Sequence, residues 1–405
     1  MPQVKPEMET FAKIKVVGVG GSGGAVVNRM MAGRIRGVEF VVMNTDVQAL
    51  HHNSAPTKLH IGKSITRGLG AGMDPEVGRK AAEESESEIR DLLKDTDMVF
   101  LACGLGGGTG SGASPIVAEI AKELGALTVA IVTKPFNFEG AKRREIADAA
   151  WEQLAQKVDT IITIPNDRIL QVIDKKTPLL DAFKKIDDVL RQGVQGISEL
   201  ITIPGLINVD FADVKAIMKD AGSALMGIGT GTGENRAMDA AKMAISSPLL
   251  ELSIDGARGI LFTIAGGPDM TMDEVSEAAR VITSSADTEA KIIFGSIIDE
   301  TLVGSIRISV VATGFDEGRA ATLSDDDRSF KYTPSTFVRK LQKEEKEEEK
   351  KFLQFTSHRT QPNTVQSAPM RSIKDDRPNS VPVAPTNNDK DELEIPAFIR
   401  KKMGM

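Results

Sequence analysis

The chain has 405 residues, of which 41% are hydrophobic and 4% aromatic, and a net charge of −7. This length predicts two or three domains with mainly aliphatic cores, and the acidic balance argues against nucleic acid as a main partner. A single cysteine, Cys103, excludes an intrachain disulfide and favours a reducing compartment. We expect a cytoplasmic protein without membrane insertion, because no apolar run approaches the ~20 residues of a membrane span and the N-terminus has no signal-peptide core.

Short apolar runs alternate with helical patterns in the first half of the chain. Such runs are typical of strands buried on both faces of a parallel sheet. The alternation therefore predicts an α/β fold with a Rossmann-like domain over residues 13–177. Its predicted strands are 13–20, 38–45, 98–104, 128–135 and 160–166. Its predicted helices include Pro75–Leu93, with Asp74 as N-cap, and Glu139–Val158.

A long helix is predicted over residues 178–203. Apolar residues recur there at steps of three and four, and Pro178 and Pro204 mark its two ends. At about 1.5 Å per residue this helix is long enough to connect two domains. A second, smaller α/β domain is predicted over residues 204–315. Its strand-like segments are 223–233, 256–267, 290–298 and 304–314.

The two ends of the chain differ in composition from the part between them. Residues 1–12 are predicted to be a flexible N-terminus. Residues 316–390 combine a charge run with a stretch rich in Pro, Ser, Thr and Asn, and they predict a disordered linker. Residues 391–405 regain apolar and basic side chains, which suits a peptide that docks a partner. A frayed tail without a role explains the same composition.

Two glycine-rich runs each follow a predicted strand and open a helix, where backbone N–H groups and the helix dipole attract phosphate. The first, Gly18–Gly24, fits GxGxxG, and with Asp46 it is compatible with a dinucleotide site or with a tight turn that binds nothing. The second, Gly104–Gly112, is a loop that a dinucleotide fold does not need. Together they predict a polyphosphate enclosed from two sides, with hydroxyls from Thr109 and Ser111.

The lysine of a P-loop is missing from both glycine runs. Gly62-Lys63-Ser64 resembles the end of a P-loop, but Thr57 stands where its first glycine belongs. We therefore predict that Lys63 is a surface lysine, and that backbone amides, hydroxyls and Mg²⁺ neutralise the phosphates. A third glycine loop, Gly68–Gly72, is expected close to the other two.

The motif at Gly106–Gly112, GGGTGSG, is a signature of the tubulin superfamily, and the chain resembles the FtsZ group of the tubulin/FtsZ GTPase family. The resemblance covers residues 13–315 and the terminal peptide. The motifs that carry it are VVGVGGSGG, VEFVVMNTDVQAL, GLGAGMDPEVGR, NFEGAKRRE, IPNDRIL, NVDFADV, MGIGTGTGENRA and IPAFIRKK. It implies a GTPase of bacterial cell division that forms head-to-tail filaments in a cytoplasmic ring at the division site. GTP or GDP would be the bound nucleotide, with Mg²⁺ held mainly by the phosphates and no separate metal site on the protein.

The resemblance also implies which residues hold the nucleotide. Glu139 and Arg143 would contact the ribose, as i and i+4 of one predicted helix, although a surface salt bridge explains the same spacing. Asn166 and Phe183 would contact the base, and Asp187 would accept from guanine N1–H and its 2-amino group, which adenine does not offer. A core phenylalanine beside a solvated aspartate is the alternative for the last two. The full implied set is Gly20, Gly21, Ser22, Gly23, Gly24, Gly72, Gly107, Gly108, Thr109, Gly110, Glu139, Arg143, Asn166, Phe183 and Asp187.

Asn208, Asp210 and Asp213 match the catalytic loop of the family. The resemblance implies that this loop polarises the attacking water at the nucleotide of the next subunit. Carboxylates beside a γ-phosphate of their own subunit would repel it, and a head-to-tail contact that does not close builds filaments. Asp210 also suits a helix N-cap.

Two residues depart from the family pattern, and both lie near the first loop. Ala25 stands where the family usually has Asn, and Ser22 interrupts the glycine run, so a polar contact to the nucleotide is lost or taken over by Ser22.

The terminal peptide resembles the family segment that docks membrane-tethering and regulatory division proteins. The anchors that it implies are Ile395, Phe398, Ile399 and Arg400. Two rival functions remain for the whole chain: a dinucleotide-dependent oxidoreductase, and a structural filament protein that binds GTP but barely hydrolyses it.

Overall fold

The computed structural model describes residues 12–168, 177–203, 205–247, 254 and 256–315. These residues belong to one compact unit. The predicted linker and docking peptide, and all but the last residue of the predicted flexible N-terminus, lie outside them. The domain boundaries drawn from the sequence stay predictions. No helix in the described part of the chain is long and apolar enough to cross a membrane.

Strands and helices alternate through the first half, as the sequence predicts. In chain order the elements are β1 (Ile14–Val19), α1 (Gly20–Ala32), β2 (Val38–Asn44), α2 (Val47–His52), β3 (Thr57–His60), α3 (Lys63–Thr66), α4 (Pro75–Glu84), α5 (Glu86–Leu93), β4 (Met98–Gly104), α6 (Gly108–Glu123), β5 (Leu127–Lys134), α7 (Ala141–Ala155) and β6 (Thr160–Pro165). The six strands are parallel in the order β3-β2-β1-β4-β5-β6. Because β1 and β4 are neighbours, the two glycine loops that follow them leave the same edge of the sheet.

Two predicted helices have different bounds in the structure. The helix predicted over Pro75–Leu93 is divided at Ser85, whose Oγ accepts a hydrogen bond from the N–H of Gly62 at 3.1 Å. The helix predicted from Glu139 begins only at Ala141, because Gly140 adopts a left-handed φ of 100°. Asp74 caps α4 as predicted and accepts from the Glu76 N–H.

The second half continues the same sheet. Its elements are α8 (Leu179–Thr202), α9 (Phe211–Met218), β7 (Gly222–Thr232), α10 (Arg236–Ile245), β8 (Gly259–Gly266), α11 (Met272–Thr283), β9 (Lys291–Ile298) and β10 (Ser305–Thr313). The start of β7 pairs in parallel with the start of β6, and β10 lies antiparallel between β7 and β8. Over the described residues the strands form one ten-stranded sheet.

Helix α8 runs along the sheet from the carboxyl ends of the first strands to their amino ends. Its buried stripe includes Ile186, Leu190 and Val194, which pack into the core beneath the sheet. Near its start, the ring of Phe183 contacts Phe136, which lies just beyond the carboxyl end of β5. Near its end, Thr202 lies against Gly37, directly before β2, so that a Cβ on that glycine would approach the Thr202 Cβ to 2.4 Å. The segment after α8 therefore leaves at the edge opposite to the glycine loops.

Candidate active site

The first two glycine loops meet at the carboxyl edge of the sheet. Gly20 opens α1 with a φ of 75°, and a Cβ there would lie 3.0 Å from the Gly110 nitrogen in the first turn of α6. The Oγ of Ser22 accepts a hydrogen bond from the Gly104 N–H at 2.8 Å. Two helix N-termini therefore face one space, which is a favourable position for an anion. Ser22 contributes by tying the loops together.

The predicted glycines divide into two groups by their surroundings. A Cβ added to Gly21, Gly72 or Gly107 would meet nothing within 4 Å, so these three leave space for a ligand to approach the backbone. A Cβ on Gly23 would lie 2.4 Å from a carbonyl oxygen of β4, and one on Gly108 would lie 2.8 Å from a side chain of the third loop. Glycines that serve close packing in this way are Gly20, Gly23, Gly24, Gly108 and Gly110.

The hydroxyls of the second loop are already hydrogen-bonded within the protein. The Oγ1 atoms of Thr109 and Thr45 lie 2.7 Å apart, and both residues are buried. Ser111 is also buried, and its Oγ accepts from the Gly106 N–H at 2.9 Å. The hydroxyl of Ser111 therefore shapes the loop, and its contact with a phosphate oxygen stays a prediction. The carbonyl of Thr45 accepts from the Gly70 N–H at 3.2 Å, which places the third loop beside the other two as expected.

Asp46 begins a helix in this structure. Its Oδ1 accepts hydrogen bonds from the N–H groups of Gln48 and Ala49 at 2.8 and 3.1 Å, so it is the N-cap of α2. A dinucleotide site would need this carboxylate to face a ribose. The local structure thus explains Asp46 without a ribose contact, which weakens the dinucleotide alternative.

Glu139 and Arg143 form an ion pair, which was the alternative to ribose contacts for their spacing in the sequence. Arg143 Nη1 donates to Glu139 Oε2 at 2.5 Å, and Glu139 Oε1 accepts from the Phe136 N–H. The prediction that both lie on one helix is wrong, because Gly140 separates the short 3₁₀ turn of Glu139 from α7. A Cβ on Gly106 would lie 2.9 Å from the Arg143 carbonyl oxygen, so the pair borders the second loop. Both side chains remain partly exposed there.

The three residues predicted to contact the base differ in their exposure and in their hydrogen-bond partners. Phe183 is 40% exposed and meets Phe136 edge to face, so it is not a core residue. Asp187 forms an ion pair with Arg29 of α1, and its burial raises the pKa of its carboxyl, partly offset by the charge and hydrogen bond of Arg29. Asn166 is buried, and its Oδ1 has no hydrogen-bond partner among the described residues. A buried amide oxygen without a partner suits a site that a ligand completes.

Arg29 is the functional candidate that the sequence analysis missed. It is the only charged residue within α1, a helix that otherwise offers glycines, a serine, an asparagine and apolar side chains. The sequence did contain a signal for Arg29: a single cation on the helix that follows a glycine-rich loop. Its partner, Asp187, lies 158 residues away in the chain, and local periodicity does not reveal such a pair.

The predicted catalytic loop has a defined local structure. Asp210 caps α9, and its Oδ1 accepts from the Asp213 N–H at 2.8 Å. Asn208 accepts from the Gly205 N–H at 2.6 Å, so its side chain closes the turn before the cap. Ile207 is bridged to β9 and holds the loop on the sheet. All three predicted catalytic side chains, those of Asn208, Asp210 and Asp213, are exposed.

One chain does not bring this loop to its own glycine loops. Asp187 and Thr202 are separated along α8 by about 22 Å, at about 1.5 Å per residue. Since α8 ends at the sheet edge opposite to the glycine loops, the segment that carries Asp210 and Asp213 begins on the far side of the sheet from them. The glycine loops and the exposed carboxylates thus stand at different places of the chain.

Comparison with known proteins identifies this arrangement. Residues 13–174 match the model of the Tubulin/FtsZ family GTPase domain, and residues 222–316 match that of the FtsZ family C-terminal domain. A dimeric FtsZ from M. jannaschii is 48% identical, with a TM-score of 0.73 over 76% of this chain and 89% of that one. A mutant of FtsZ from the same organism gives 48% identity and a TM-score of 0.73, over 75% and 92% of the two chains.

A more distant likeness concerns the fold alone. CetZ2 from Haloferax volcanii, solved as a GTPγS-bound protofilament, is 20% identical, with a TM-score of 0.65 over 78% of this chain and all of that one. The two family models and the 48% identity over most of the M. jannaschii protein go further than the fold. The chain belongs to the FtsZ group of the tubulin/FtsZ family, and it is a GTPase that binds GTP and GDP.

Proposed function

We propose that this GTPase assembles head to tail into filaments and hydrolyses GTP at the contact between two subunits. The observation that carries the proposal is the separation of the phosphate cradle from the exposed carboxylates of Asp210 and Asp213 by the length of α8. A second copy can bring its carboxylates to the cradle of the first. Such a contact joins two different surfaces and leaves one of each free, so it extends into a filament.

Exposed apolar side chains lie beside both halves of the site. Leu69 and Phe138, 86% and 69% exposed, stand in the loops at the nucleotide edge. On the side of the catalytic loop, the N–H of Leu206 bonds to β9, Met272 is the first residue of α11, and Val303 stands in the loop after β9. These three residues are 66–76% exposed. Apolar groups of this size on two separate surfaces suit a contact between unlike faces. The dimer formed by M. jannaschii FtsZ supports self-association of this chain.

Mg²⁺ enters the proposal as a companion of the phosphates. The described residues include no group of three His, Cys, Asp or Glu side chains that could hold a metal ion. A divalent ion bound to the β- and γ-phosphates would neutralise their charge. The backbone of the glycine loops and Thr109 would then hold the phosphates, and the side chains of the next subunit would orient the water.

The cellular role proposed for the filament is a ring at the division site, in the cytoplasm. It rests on the resemblance of the whole chain to the FtsZ group and on the terminal peptide. That peptide would dock membrane-tethering and regulatory division proteins. Its proposed anchors, Ile395, Phe398, Ile399 and Arg400, lie outside the described residues.

The test is phosphate release together with light scattering over a series of protein concentrations, with GTP and with ATP. We expect turnover per molecule to rise steeply above a critical concentration with GTP, and to stay low with ATP. A flat specific activity over the dilution series would refute activation by assembly. Scattering that rises without phosphate release would favour the structural filament protein over the GTPase mechanism.

A further inference from the structure

A buried arginine in the second half of the chain makes a dense set of charged hydrogen bonds. Arg236 opens α10, and its side chain is 8% exposed. Its Nε and Nη2 donate to the two carboxylate oxygens of Glu274 at 2.6 and 3.0 Å. Its Nη1 donates to Asp269 Oδ2 at 2.5 Å, and Nη2 also reaches the Asp269 carbonyl at 3.0 Å. The planar guanidinium thus fixes two carboxylates in one geometry.

Both carboxylate partners of Arg236 also hydrogen-bond to backbone N–H groups at the ends of loops. Glu274 forms a capping box with Thr271, which begins α11 directly after the loop that follows β8. Asp269 lies in that same loop, and its Oδ2 accepts from the Gly304 N–H at 3.1 Å, in the loop after β9. Asp269 therefore links the loop after β8 to the loop after β9, and the guanidinium of Arg236 holds Asp269 in place.

Two exposed apolar side chains lie beside these loops, at the start of α11 and in the loop after β9. Met272 directly follows the capping residue and is 76% exposed, and Val303 directly precedes Gly304 and is 66% exposed. A Cβ on Gly267 would lie 2.9 Å from the Val303 Cα, so the loops are in close contact. The position of one apolar side chain relative to the other depends on how the loops are joined.

The chemistry of the linkage favours a role in geometry. The buried guanidinium of Arg236 has a desolvation cost that an apolar side chain of similar volume would avoid. The hydrogen bonds of Arg236 lower the pKa of both Asp269 and Glu274, so the cluster stays ionised at neutral pH. A bidentate fork fixes direction as well as distance, which apolar packing does less strictly.

We propose that Arg236 is a positioning residue of the assembly surface, which holds Met272 and Val303 in the arrangement that meets the next subunit. This inference rests on the proposed head-to-tail assembly and assigns it a residue that contacts neither the nucleotide nor the neighbouring chain. Without the paired hydrogen bonds of the Arg236 guanidinium, the two loops move independently. The surface then has to become ordered when it binds the next subunit.

The experiment uses the full chain and the substitution Arg236→Lys, which keeps the charge but removes the fork. We expect the critical concentration, measured by light scattering with GTP, to rise several-fold. The affinity of the unassembled protein for GTP should be unchanged below that concentration. Arg280→Lys, on the exposed face of α11, is the control and should match the wild type.

A double-mutant cycle separates positioning from general loss of stability. In the background Met272→Ala with Val303→Ala, Arg236→Lys should cause no further rise of the critical concentration. An equal rise in both backgrounds would show that Arg236 acts elsewhere and overturn the inference. Should Arg236→Lys fail to unfold cooperatively, Asp269→Asn replaces it in the same cycle.

Failure of the inference differs visibly from failure of the proposed function. A wild-type chain without a critical concentration would remove the proposed function, and this inference with it. A wild-type chain that assembles while Arg236→Lys has the same critical concentration would remove the inference alone.

Discussion

At the scale of single residues, Asp187 connects burial to the choice of base. Burial raises the pKa of its carboxyl, although the charge and hydrogen bond of Arg29 oppose this shift. The ionised form is the one that accepts from guanine N1–H and the 2-amino group, so guanine binding favours loss of the proton. We therefore expect the affinity for GDP to fall as the pH drops through the raised pKa, above the usual aspartate value of about 3.9. Calorimetric titration with GDP over a series of pH values below neutrality measures this.

The variant Asp187→Asn serves as the reference, since a phosphate also titrates near pH ~6. The wild type should lose more affinity on acidification than the variant, and the variant should discriminate less between GDP and ADP. Asp181→Asn, whose exposed carboxylate pairs with Lys184, should behave as the wild type. An identical pH dependence in wild type and Asp187→Asn would exclude the role given to this carboxylate.

At the scale of elements, the start of α9 holds two carboxylates, one of which caps the helix and both of which are proposed to act in hydrolysis. Asp210 caps the helix through the Asp213 N–H, whereas the Asp213 side chain is exposed and has no part in that cap. We expect Asp213→Ala to keep GTP binding and to lose most phosphate release, because the missing group acts on the nucleotide of the neighbour. Nucleotide affinity and phosphate release above the critical concentration are the two measurements.

Asp210 needs a different substitution. Alanine there would also remove the cap, at a cost of about 1 kcal/mol. Asp210→Ser retains a capping oxygen, so its melting temperature should stay close to that of the wild type while hydrolysis falls. Full activity in Asp210→Ser would assign this residue to the cap alone.

The elements show what local sequence could and could not predict. The strands of the first half and the long helix α8 follow apolar patterns, and the structure confirms them. The predicted start of α7 was wrong because Gly140 adopts a positive φ, and an apolar pattern does not indicate the φ of a residue. The contacts of Ser22 with Gly104 and of Arg29 with Asp187 join residues far apart in the chain. Only the folded sheet brings such residues together.

At the scale of the whole molecule, α8 leads from the sheet edge that carries the glycine loops to the opposite edge, where the segment with Asp210 and Asp213 begins. The first six strands hold the phosphate cradle at their carboxyl ends, and α8 ends at the opposite edge. Under the proposed head-to-tail assembly, each chain has a nucleotide half and a catalytic half of a site. This division predicts that two variants, each defective in a different half, can restore one working site together.

The complementing variants are Asp213→Ala, with a defective catalytic half, and Gly107→Leu, with a defective cradle. Gly107 has an ordinary extended φ of −96°, and a Cβ there meets nothing within 4 Å, so leucine fills the ligand space without straining the backbone. Each variant alone should release little phosphate. In a mixture, the nucleotide held by Asp213→Ala meets the intact carboxylates of Gly107→Leu, and phosphate release should exceed the sum of the separate rates. Rates that merely add, over mixing ratios at which light scattering shows assembly, would mean that each subunit hydrolyses its own nucleotide.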